Sequence, residues 1–150
     1  MVRVHRVITG FIVALAAVVL GSSIASANEA EFDNYVVYYN VINTTFLSPE
    51  VAQAYDVRRS SNRAMVNVTV MERTDDGLKA VSADLSGTAT NMNDQMRNLR
   101  FREIQDGDAI YQLSEVTVRR GETLEFALEV TPEGSERALP ISFSREFFAD

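Results

Sequence analysis

The sequence predicts a mainly all-β protein: one β-sandwich domain of about seven strands, with one short helix between the first two strands. Three observations carry this. Apolar and polar residues alternate with period two over several short stretches, as in strands with one buried face. Turn-forming residues interrupt those stretches about every ten positions, the rhythm of a sandwich. The chain has no Cys, so a core rather than disulfides must hold it together.

The first 27 residues read as an export signal, leaving 28–150 as the domain. Arg3 and Arg6 give a basic start, an apolar run follows from Val7 to Gly21, and Ala25 and Ala27 are the small residues a signal peptidase reads. The apolar run is 15 residues long, short of the roughly 20 that span a bilayer. Cleavage is therefore expected after Ala27, with no stable membrane insertion afterwards. Asn28 to Glu31 is expected to be a frayed tail.

"YVVYYNVIN" (Tyr35 to Asn43) is aromatic and β-branched and reads as the first strand. In "MVNVTVM", Val66, Val68 and Val70 oppose Met65, Asn67, Thr69 and Met71. "RTDDG" turns the chain into "LKAVSADLSGTAT", where Val81, Ala83 and Leu85 share a face. "RNLRFREI" sends Leu99 and Phe101 inward and aims Arg100 and Arg102 outward. "QDGD" and "RRGE" are hairpin turns around "AIYQLSEVTV", because Gly supplies the positive φ a tight turn needs. Leu124, Phe126, Leu128 and Val130 line one face of the next strand, and "ALPISFSREFF" is the last. The count suits an immunoglobulin-like sandwich without its disulfide. A small barrel is the alternative, since turn spacing alone does not separate the two.

The helix is "SPEVAQAYDV". Ser48 caps it, Pro49 takes the first helical position, where a missing N–H costs nothing, and Glu50 complements the helix dipole. Asp56 ends it. Val51, Ala52 and Tyr55 share a face, and Val51 and Tyr55 are expected to pack on the core.

Composition excludes several functions. Losing Arg3 and Arg6 leaves 12 basic against 21 acidic residues, a net charge of about −9 that repels nucleic acids. The single His, His5, leaves with the signal. A chain without His or Cys has no Ser-His-Asp triad, no Cys-His pair and no ordinary zinc or copper site, so neither a catalytic set nor a cofactor or metal is expected. A hydrolase built on carboxylates or Tyr is the remaining enzymatic class, and no spacing singles out such a set.

The candidate binding residues surround the helix: Asn43, Thr44, Thr45, Arg58, Arg59 and Ser60. Arg59 is suited to grip a carboxylate or phosphate through two parallel hydrogen bonds. The plainer reading is that these side chains satisfy the backbone of an irregular connection, as Asn, Thr and Ser routinely do.

"YYNVINTTFLSPEVAQAYDVRRSSNRAMVNVTVM", and above all "NTTFLSPEVAQAY" followed by Arg59 and Ser60, resembles the bacterial domain-of-unknown-function 4426 family, small exported proteins of Gram-negative bacteria. The C-terminal "ISFSREFF" fits as well, and the resemblance spans nearly all of Glu31 to Phe148. It implies a signal peptide, a single sandwich and export to the periplasm, and it carries over no site residues. The expected function is a non-enzymatic periplasmic module that binds an as yet unknown protein or envelope component. The alternative is a carrier of a small anionic ligand held by Arg59 and nearby hydroxyls.

Overall fold

The computed structural model describes residues 28–148, so the signal peptide and its cleavage point lie outside the described residues. Among the described residues ten strands form: β1 (Asn28–Glu31), β2 (Tyr35–Asn43), β3 (Arg63–Thr74), β4 (Gly77–Val81), β5 (Ala83–Thr90), β6 (Met96–Leu99), β7 (Arg102–Asp106), β8 (Ala109–Thr117), β9 (Thr123–Pro132) and β10 (Leu139–Glu146). A 3-10 turn (Thr44–Phe46) and helix α1 (Pro49–Ala54) join β2 to β3. All pairings are antiparallel. The first sheet runs β1-β2-β3-β8-β7, with β4 beside β8 on the long edge of β3; the second runs β10-β9-β5-β6.

The seven expected strands become ten for three physical reasons. Ser82 breaks one stretch into β4 and β5, which belong to different sheets. Arg100 and Phe101 do the same between β6 and β7. The residues expected to be a frayed tail instead form β1, because the edge of β2 offers unpaired backbone groups and Ala30 and Phe32 pack on the core. Arg73 adds an ion pair to Glu31 at 3.1 Å.

The core lies between the sheets. Ala64, Val66, Val68 and Val70 of β3 face Leu124, Phe126, Leu128 and Val130 of β9, all eight fully or almost fully buried. Each large side chain of this set stabilises the fold by roughly 1.5–3 kcal/mol. At one margin the ring of Phe143 stacks on Phe126 at 4.9 Å and meets Tyr39 at 4.7 Å. Gly87 lets β5 approach β9: a Cβ there would stand 2.6 Å from Leu128 Cδ2 and 2.9 Å from the Ala127 carbonyl oxygen.

A second apolar cluster sits on the other face of the first sheet. Val57, Met65 and Leu113 are buried there, with Ile42, Leu47, Tyr55, Ile104 and Tyr111 around them. The crossover with α1 covers this patch, so the first half of β3 is buried on both faces. The Val51 amide donates to Ser48 Oγ at 3.2 Å, as the cap predicts, and Asp56 ends the helix with a φ of 54°. The expected inward face needs correction. Ala52 is buried, Tyr55 packs in the outer cluster, and Val51 is exposed; neither Val51 nor Tyr55 reaches the core between the sheets. A residue step turns a helix by about 100°, so covering a sheet with Ala52 turns Val51 away.

Candidate functional site

The crossover is tied down from within. Thr44, fully buried, donates from Oγ1 to the Ser60 carbonyl at 3.0 Å and accepts from the Ser60 amide at 2.8 Å. Two distant points of the loop are thereby fastened by one hydroxyl. Arg59, exposed, donates to the Thr45 carbonyl at 3.2 Å. Arg102 donates to the carbonyls of Tyr55 and Asp56, satisfying the acceptors left over at the end of α1. Burial, with Tyr111 and Asp106 adding, raises the Tyr55 phenol above its usual range, so it stays a donor, reaching Asp106 at 3.4 Å.

Hydrogen bonds bring four of the six sequence-derived binding residues together as two pairs. Thr44 and Ser60 are joined to each other, Thr45 and Arg59 through a carbonyl, and Arg58 points to solvent without an ion pair among the described residues. Asn43 stands apart. Its side chain makes no capping bond, and it lines an open cleft of about 490 Å³ at one end of the sandwich.

That cleft draws on four separate stretches of chain. Asn43 ends β2, Ser61 and Asn62 precede β3, Thr117 to Arg120 lead from β8 into the hairpin, and Phe147 and Phe148 follow β10. Backbone bonds hold the stretches together: Val118 N to Asn62 O at 2.9 Å, Gly121 N to Phe147 O at 2.7 Å and Phe147 N to Glu122 O at 2.8 Å. Gly121 makes this turn with a φ of 74°. Phe147 is buried beneath the cleft and Phe148 is exposed at its rim.

Glu122 anchors the hairpin. Both its oxygens accept from Arg97, at 2.6 and 3.0 Å, and it also accepts from the Arg119 amide and the Asn91 side chain. Its carboxyl is held below the usual carboxylate range, first by the hydrogen bonds from Arg97 and then by those from the Arg119 amide and Asn91. Arg97 is thus bound within the structure, whereas Arg119 and Arg120 carry no ion pair among the described residues. The sequence shows these two as a hairpin tip and gives no sign that Asn43 and Phe148 lie beside them. Two adjacent cations in an acidic chain were the available signal.

The free edges of the sheets differ. β1 is short and carries two Glu, β4 carries Lys79, β6 has four residues, and β7 has charges at both ends. β10 has eight residues and no charge from Leu139 to Ser144. Its backbone pairs with β9 alone among the described residues. Among the described residues no group of three or more His, Cys, Asp or Glu stands close enough to hold a metal ion, and no helix is long and apolar enough to cross a membrane.

Similar structures place this architecture. A DUF4426 family protein from Pseudomonas aeruginosa PAO1 superposes with a TM-score of 0.72 at 35% identity, over 83% of this chain and 96% of that one. FetP from uropathogenic E. coli strain F11 gives a TM-score of 0.60 at 6% identity, over 83% and 95% of the two chains. A copper-bound variant of FetP gives 0.59 at 7%, over 82% and 95%. At those identities FetP shares the fold alone. No curated protein matches the sequence. The family model described as "Domain of unknown function (DUF4426)" matches residues 29–150, and with the Pseudomonas structure it shows that the chain belongs to the DUF4426 family.

Proposed function

We propose that this protein is an exported, periplasmic, non-enzymatic interaction module that takes an extended strand of a partner protein onto β10. The observation that carries the reading is the edge of β10 that has no neighbour among the described residues, on a strand of eight residues uncharged from Leu139 to Ser144. Exposed edges are usually blunted with charge, Pro, shortness or cover; charge or shortness marks the other edges, whereas β10 carries one Pro and has charges only at Arg145 and Glu146. Pro140 has no N–H for the ladder, which suits a nitrogen facing away from β9. Backbone groups alternate in direction along a strand, so those of Ser142 and Ser144 then face outward beside it. An incoming strand gains main-chain hydrogen bonds there and adds to the second sheet.

The basic start, apolar run and Ala-Ser-Ala of residues 1–27 support export, and FetP, which shares the fold, was recombinantly expressed in the periplasm of E. coli. Intact mass of the protein recovered from the periplasm tests the leader: a chain beginning at Asn28 is expected, and an unprocessed chain overturns the reading.

A photo-crosslinking residue at position 142, compared in cells with one at exposed Asp75, tests strand addition. One protein should crosslink from 142 alone and be lost in Ser144→Pro, which removes an edge N–H, while the melting temperature stays within a few degrees. Equal crosslinking from both positions, or no effect of Ser144→Pro, defeats the proposal. A crosslinked product made of two copies of this chain replaces the partner protein with self-pairing.

A further inference from the structure

We infer that the cleft at the end of the sandwich binds an anionic amphiphile: a carboxylate or phosphate group carried on an apolar chain or ring. The inference is independent of β10, which lies outside the cleft lining. Three features support it.

The first is charge. The chain carries a net charge of −7, yet Arg119 and Arg120 line this cleft with no carboxylate paired to either among the described residues. The acid nearest in sequence, Glu122, is already held by two hydrogen bonds from Arg97 and one from Asn91. Its charge is neutralised locally by Arg97, so it does not compete for the two guanidinium groups. Guanidinium donors in a fixed fork match the oxygens of carboxylate and phosphate.

The second is the neighbouring polar equipment. The Asn43 side chain is uncommitted as a cap and supplies an amide donor, and Ser61 adds a hydroxyl, both on the wall contributed by β2 and the crossover. An anion entering the cleft therefore meets donors from elements far apart in sequence that the backbone bonds of Val118, Gly121 and Phe147 hold in register. Preformed donors reduce the ordering cost of binding.

The third is the apolar half. Val118 and Phe147 are buried in the lining, and Phe148 stands 73% exposed at the rim. Phe148 stands beside two cations that have no ion pair among the described residues, and covering its ring would remove apolar area from water. A ligand with an apolar group covers it. The volume of about 490 Å³ falls in the ordinary range for small-molecule sites.

Calorimetric titration of the processed protein at low salt with octanoate, octyl phosphate, inorganic phosphate and octyl glucoside tests the inference. Octanoate or octyl phosphate should bind saturably, at least tenfold more tightly than inorganic phosphate, and the neutral glucoside should not bind. The tighter of the two anions identifies the headgroup. Arg119→Gln with Arg120→Gln should weaken binding at least tenfold, and Phe148→Ser should weaken the amphiphile without changing inorganic phosphate. Both variants alter exposed side chains, so thermal unfolding should be unchanged and loss of fold does not confound the result. Absence of saturable binding up to millimolar concentrations, equal binding of the glucoside, or unchanged binding by the double Arg variant overturns the inference.

Discussion

Replacing Thr44 with Val asks whether the polar crossover is held as architecture. Val keeps the shape of Thr and puts a methyl in place of the hydroxyl, which both donates to the Ser60 carbonyl and accepts from the Ser60 amide. Each such bond contributes about 1 kcal/mol net, and a buried group left without a partner costs about 1–3 kcal/mol. Ser60 is half-buried, so water reaches it in part and the lower end applies. The expected loss is about 2 kcal/mol, or roughly 6–10 °C in melting temperature for a domain of this size. Urea unfolding at neutral pH measures it, with an unchanged slope showing that the folded and unfolded states keep their compactness.

Two companions make the result specific. Thr44→Ser retains the hydroxyl and loses one buried methyl, which costs about 0.8 kcal/mol. Arg59→Ala removes a single exposed hydrogen bond to the Thr45 carbonyl and should change stability by less than about 0.5 kcal/mol. Hydrogen exchange at the Ser60 amide should accelerate in Thr44→Val and not in the other two. A Thr44→Val protein within about 0.5 kcal/mol of the parent, with the Ser60 amide still protected, refutes the argument and frees that hydroxyl for another role.

Two more outcomes follow from the sheets and the hairpin. Gly87→Ala should cost about 1–3 kcal/mol, because the added methyl meets a backbone oxygen at 2.9 Å that has no rotamer to escape through, and a neutral result by thermal unfolding would mean that β5 and β9 separate freely. The folded Glu122 carboxyl titrates below its unfolded value, so its contribution is complete above the unfolded pKa of about 4.3 and is lost as pH falls through the lower folded pKa. Glu122→Gln should therefore flatten part of the loss of stability below about pH 4.3 seen in urea titrations of the parent; parallel pH curves would remove the Arg97–Glu122 pair from the account.

How much of this was legible depends on what each segment hides. β3 and β9 announced themselves because period-two Val, Leu and Phe residues bury one face of each strand. The splits at Ser82 and at Arg100–Phe101 were hidden because the inward rhythm continues through both. Val81, Ala83 and Leu85 all pack on the core although the strand changes sheets between them, and so do Leu99 and Phe101. A chain that crosses from one sheet to the other around a shared core keeps its inward residues inward, so periodicity cannot mark the crossing. β1 was missed because Ala30 is the single inward residue in four, too weak a pattern without knowledge of the open edge beside it. The cleft was illegible for a different reason. Positions 43, 61–62, 117–120 and 147–148 meet only through strand pairing between distant segments.

The second apolar cluster explains why the middle of the most distinctive stretch, from Thr44 to Ser60, adds nothing to the cleft lining, which takes only Asn43, Ser61 and Asn62 from its flanks. Met65 and Leu113 put apolar side chains on the outside of the first sheet, and an exposed patch of that kind has to be covered. The cover is an irregular segment, and irregular backbone leaves carbonyls and amides that need partners. Thr44, Arg59 and Arg102 supply them, at the Ser60 backbone, the Thr45 carbonyl and the end of α1. The density of Asn, Thr, Ser and Arg there follows from covering a sheet with a loop. Donors and acceptors occupied in that way have little left for a ligand. Among the described residues, exposed groups left without partners include the backbone of β10 and the guanidinium groups of Arg119 and Arg120. Those are the groups for which another molecule can still do what the fold does not.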